Sequence, residues 1–95
     1  MLKIYDKAAW HIDGGENKDS VIKKFRLLYD LLEKHDMLSY EGKEELESGI
    51  DDSCSLHERM VNPKGASFLD AYYDEILINC SEETIVESFE DLLHL

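Results

Sequence analysis

The chain has 95 residues, enough for one domain around one modest core, and its 43% hydrophobic content separates it from disordered acidic tails. Ten Lys and Arg stand against 22 Asp and Glu, a formal net charge of −12. Such a charge excludes ready association with nucleic acid, whose phosphates would be repelled, and favours a basic partner or none.

The first segment is ambiguous. Leu2 and Ile4 alternate weakly, as in a strand, while Tyr5, Ala8, Ala9 and Ile12 also fit a helix; a short helix ending before Gly14-Gly15 is expected. Met1 to Asp6 carry no apolar h-region or small-residue cleavage site, and no apolar run is long enough to span a bilayer. A cytoplasmic protein without membrane contact is the expectation. The clearest helix covers about Ser20 to His35. Val21, Phe25, Leu28 and Leu32 form its apolar stripe, flanked by Ile22, Tyr29 and Leu31, with Asp19 or Ser20 as cap. Tyr40 to Ser48 reads as a second, surface-lying helix, capped by Ser39 and ended by Gly49. Ser55-Leu-His-Glu58 fits a capping box that opens a short helix through Met60 and Val61.

Asn62-Pro63 then reads as the cap and first residue of another helix. In it Phe68, Leu69, Tyr72, Tyr73 and Ile76 make one stripe, which Leu77 widens. Ser81-Glu82-Glu83 starts the last helix, with Ile85, Val86, Phe89, Leu92 and Leu93 as its buried face. No two runs look like a hairpin. The fold class is therefore all-α: a compact bundle of four to six helices in a single domain, residues 1–95.

The charge divides sharply along the chain. Residues 1–35 hold seven Lys or Arg and six Asp or Glu, whereas residues 36–95 hold three and sixteen. Within the acidic part, Glu41, Glu44, Glu45 and Glu47 run into Asp51 and Asp52, and Asp70, Asp74 and Glu75 interleave with Tyr72 and Tyr73. Carboxylates steer a cationic partner and tyrosines supply buried area, so Glu44, Glu45, Glu47, Asp51, Asp52, Asp70, Tyr72, Tyr73, Asp74 and Glu75 are the candidate partner-binding residues. The plainer alternative is a solvated face that keeps the protein soluble, with Tyr72 and Tyr73 mostly in the core.

Other polar groups carry weaker signals. His11 and Asp13 form an H-x-D pair that His57 and Glu58 could complete as a metal shell, but the spacing matches no strong metal signature, and a packed helix end with Trp10 and an Asx turn at Asp13 fit as well. Glu58 is expected to serve the capping box and Arg59 to pair with a nearby acid. Cys54 lies three residues before His57, yet a nucleophilic pair needs an open pocket and oxyanion donors. Gly14-Gly15 lacks the phosphate-loop pattern, and Asp51-Asp52 does not open an EF-hand. Cys54 and Cys80 make no C-x-x-C, so reduced thiols are expected. No catalytic residue, metal or cofactor is assigned.

The segments Trp10-His11-Ile12-Asp13-Gly14-Gly15 and Ser55-Leu56-His57-Glu58-Arg59-Met60, with Phe68-Leu69 and Tyr72-Tyr73-Asp74, resemble a group of small bacterial proteins of unassigned function. In size, charge and helicity the chain is also similar in character to bacterial immunity proteins, of the colicin type and of contact-dependent inhibition systems. That likeness implies a non-enzymatic protein that blocks a basic, nuclease-like toxin domain by covering its cationic surface. An intracellular adaptor for a basic protein is the first alternative. A small metal-dependent or Cys/His hydrolase using His11, Asp13 and His57 is the second.

Overall fold

The computed structural model describes residues 3–94, apart from the side chains of Leu77 and Ile78; the readings made on Leu2 and Leu77 lie outside the described residues. The chain is mostly helical but not all-α. Strand β1 (Ile4–Lys7) leads directly into helix α1 (Ala8–Asp13), then α2 (Lys18–Lys34) and α3 (Tyr40–Ser48). Strand β2 (Ser55–His57), a 3₁₀ turn (Glu58–Met60) and α4 (Pro63–Tyr73) follow, and α4 continues as a π turn (Asp74–Ile78) before α5 (Ile85–Leu93).

The small sheet corrects two expectations. β1 pairs antiparallel with β2, matching Ile4 with His57, Asp6 with Leu56 and Lys7 with Ser55, with a bulge between Ile4 and Asp6. The N-terminal segment is therefore strand over Ile4–Lys7, and the expected short helix, which does end before Gly14-Gly15, begins only at Ala8. The expected capping box at Ser55 does not form, because the Glu58 N–H that would donate to the Ser55 hydroxyl donates instead to the Lys3 carbonyl at 2.9 Å. Two strands this far apart in sequence leave no hairpin signature, and a three-residue strand is too short to show a period.

α2 is the centre of the fold. Val21, Phe25, Leu28, Tyr29, Leu31 and Leu32 are buried on it, and the Tyr29 hydroxyl donates to the Ser55 carbonyl at 2.7 Å, fastening the helix to β2. Its cap is Asn17, one turn earlier than expected, whose side chain accepts from the Ser20 N–H. Its C-terminus closes in a Schellman motif. The Met37 N–H bonds the Leu32 carbonyl and the Asp36 N–H bonds that of Glu33, with Asp36 at φ +56° where glycine is usual. Met37 and Leu32 are both buried, the apolar contact that accompanies this motif. Asn62 and Lys64 then reach back to the carbonyls of Asp36 and His35, so the start of α4 caps the end of α2.

The remaining core includes Leu56, Phe68, Leu69, Ile76, Ile85 and Phe89, with the rings of Phe68 and Phe89 4.7 Å apart. Ser39, Asn62 and Pro63 take the cap positions expected of them. The Ser81 hydroxyl and carbonyl organise a turn over 82–84, and α5 is regular only from Ile85; Val86, placed on its buried face by spacing, is 43% exposed. α3 docks through Gly42, where an added Cβ would run into the Met60 carbonyl and the Leu38 side chain. No helix among the described residues is long and apolar enough to cross a membrane.

Candidate interaction surface

The salt bridges of Lys3, Lys18, Lys23 and Lys34 each join the two unequal parts of the chain. Lys3 meets Asp70 at 2.6 Å, Lys18 meets Asp52 at 3.1 Å, Lys23 meets Glu82 at 3.8 Å and Lys34 meets Glu90 at 3.3 Å. His35 adds a second contact to Glu90 at 2.8 Å while stacking on Phe89. Part of the acidic surplus of residues 36–95 is thus answered internally by the lysines of residues 1–35. Exposed pairs of this kind contribute little stability each, because water screens them and long side chains must be ordered. They do remove particular carboxylates from the set open to a partner.

The ten candidate binding residues separate accordingly. Asp70 is held by Lys3 and by the Tyr5 hydroxyl at 3.1 Å, and the hydrogen bond from Lys3 keeps its carboxyl below the usual range. Burial and that same contact push the Tyr5 phenol up to about 12. Asp51 closes an Asx turn by accepting from the Ser53 hydroxyl and N–H, which lowers its pKa, and Asp52 holds Lys18. Tyr72 leans on Phe68 and Tyr73 on Tyr5; both rings are half-buried against the core, as their place in the apolar stripe of the helix suggested, and neither is the open anchor that their interleaving with acids suggested. Asp74 and Glu75 are exposed at the π turn, where their carbonyls accept from the Asn79 N–H and the Cys80 thiol.

α3 supplies the exposed remainder. Tyr40, Glu44 and Glu47 follow one another at i, i+4 and i+7, hence on one face, with Glu41 beside them, and all four are exposed. Tyr40 is the most exposed large hydrophobic residue among the described residues, at 77%. Hydrogen bonding to Glu44, with the charge of that carboxylate, raises its phenol pKa. None of Glu41, Glu44 and Glu47 forms a salt bridge among the described residues. Glu45 points the other way: it is half-buried, and its charge is felt by the buried Tyr29 phenol and the Cys54 thiol. Sequence reasoning treated Tyr40 as thin apolar content of the helix. Its position one residue after the Ser39 cap, outside the Gly42–Leu46 side, was the signal that could have marked it as outward-facing.

The weaker motifs resolve differently from their sequence readings. His11 does not meet Asp13 or His57. Its Nε2 lies 2.5 Å from Asp6 and its Nδ1 2.5 Å from Glu16, in an open cleft of about 320 Å³ walled by Tyr5, Trp10 and Tyr73. Trp10 is 53% exposed rather than packed into a helix end, with the Lys7 ammonium 5.9 Å from its ring centre. Among the described residues no group of three or more His, Cys, Asp or Glu is arranged to hold a metal ion. The Cys54 thiol is buried, and burial, with the charges of Glu45 and Asp51, pushes its pKa up to about 12, the opposite of what a nucleophilic thiolate needs. Arg59 is exposed and makes no ion pair among the described residues, and His57 Nδ1 is buried without a hydrogen-bond partner there. The capping-box role assigned to Glu58 is absent, as the sheet register requires.

Comparison of the chain with protein-family models, with characterised proteins and with solved structures finds no match.

Proposed function

We propose that this chain is a binding protein for a basic protein partner, acting as an immunity protein that covers the cationic surface of a nuclease-like toxin domain. The observation that carries the reading is the outer face of α3: a tyrosine at 77% exposure set among Glu41, Glu44 and Glu47, on a chain of net charge −12. Tyrosine offers a large rigid contact area with a polar tip, and surrounding carboxylates speed encounter with a cationic patch. The lysine pairing described above supports α3 over Asp70 of α4 and Asp52 of the loop after α3 as the working surface, because those two carboxylates already have partners.

The test is capture from the native host with the tagged protein, followed by binding kinetics on the captured partner. A basic protein retained by the wild type and released by salt is expected. Glu41→Lys, Glu44→Lys and Glu47→Lys together should slow association, and Tyr40→Ala should speed dissociation. Equal capture by the wild type and the triple variant would rule out α3 as the binding face.

A further inference from the structure

The ring of His11 is engaged at both nitrogens by carboxylates, Asp6 at Nε2 and Glu16 at Nδ1, each at 2.5 Å. A neutral imidazole has one N–H and one lone pair, so it can satisfy only one such contact and would turn its lone pair on the other. Only the imidazolium donates to both. We propose that Asp6–His11–Glu16 is a protonation latch, in which a charged His11 ties β1, α1 and the Glu16 side chain together, and loss of its proton as the pH rises frees that side chain while the backbone of the turn stays bonded to α1 through the Glu16 N–H and the His11 carbonyl.

The two ends of the latch differ. Asp6 is only 6% exposed, and its Oδ1 accepts the Lys7 N–H at 2.8 Å. A buried carboxylate cannot give up its donor without a large desolvation penalty. The Glu16 side chain is 57% exposed and water can replace its partner. Deprotonation therefore leaves the proton on Nε2, facing Asp6, and breaks the contact to Glu16, next to the Asn17 cap of α2. The other groups around the ring are Phe25 of α2, edge-on at 6.1 Å, Tyr5 of β1, Tyr73 of α4 and Trp10 of α1 in the shared cleft. Lys24 of α2 lies close enough to Glu16 and Asp6 to feel both charges. Burial draws the proton affinity of His11 down, but its hydrogen bonds to Asp6 and Glu16 outweigh this and hold the pKa above the ordinary 6.5. A folded-state value above the unfolded one means that the stabilisation is complete below pH 6.5 and is lost as pH rises through the folded value.

Trp10 is the one tryptophan of the chain and adjoins His11, so its fluorescence reports the latch. The experiment is an NMR titration of the histidine Cε1 protons alongside Trp10 emission. A His11 midpoint above 6.5 is expected, with a Trp10 step at the same pH and the Nε2–H tautomer on the alkaline side. Glu16→Gln, an exposed change that leaves the core intact, should move both midpoints down together. His11→Gln should abolish the Trp10 step. A His11 midpoint at or below 6.5, Trp10 emission flat through the His11 titration, or a midpoint unmoved by Glu16→Gln would each overturn the latch.

Discussion

The N-terminal part of the molecule, β1 through α2, and the helix α3 handle their charges in opposite ways. In the first, several charges are tied down: Lys3, Lys18, Lys23 and Lys34 reach carboxylates elsewhere in the chain, and His11 joins two acids at once. In the second, Glu41, Glu44 and Glu47 stand exposed without ion pairs among the described residues, around an open tyrosine. The difference comes from what each segment buries. α2 commits six side chains to the core, so its exposed lysines lie within reach of carboxylates on the segments packed around it, whereas α3 docks through Gly42 and a half-buried Leu46 and leaves most of its circumference in water. A charge excess measured on the sequence is therefore not one surface. Part of it is internal complementarity, and only the unanswered remainder can recruit a partner.

The largest effect should come from the packed region. Leu28→Ala removes a side chain with no exposed area at the centre of α2 and should cost about 2–5 kcal/mol in urea unfolding. A cost of a few tenths would erase the contrast between the regions. Gly42→Ala probes the narrow docking of α3, since the new methyl meets the Met60 backbone carbonyl as well as the Leu38 side chain; a loss of about 1–3 kcal/mol is expected. Unchanged stability would mean that α3 is not seated against the 3₁₀ turn. Asp36→Gly relieves a left-handed residue at the end of α2 and should stabilise by up to about 1 kcal/mol, measured the same way.

The smallest effect on stability, within about 0.5 kcal/mol, is expected for the lysine reversals on α3, because these carboxylates are exposed and form no salt bridge among the described residues. Their effect belongs to kinetics. Association with a basic partner should slow, and its salt dependence should weaken, since steering by exposed charge acts only over roughly 8–10 Å at physiological ionic strength. A large stability loss in the triple variant would show that these carboxylates hold the fold after all.

Much of the helical framework was legible because it rests on local physics. The stripe Val21, Phe25, Leu28, Leu32 repeats at the helical period. Ser39 and Asn62 cap because their side chains reach an N–H three residues on, and Pro63 suits a first helical position where no donor is needed. The acidic excess was legible by counting. What the tertiary structure decided is every feature that depends on residues far apart in sequence. The β1–β2 pairing turned an apparent capping box into a strand, because the Lys3 carbonyl competes for the Glu58 N–H and no local pattern encodes that partner. The lysine pairings selected which carboxylates stay open, and the packing of α4 drew Tyr72 and Tyr73 toward the core while Tyr40 was left outside. His11 was visible as a polar residue near acids. That Asp6 and Glu16, each only five residues away, would close on its two nitrogens instead of Asp13 depended on the strand running directly into α1, a change of backbone that the residue pattern did not show.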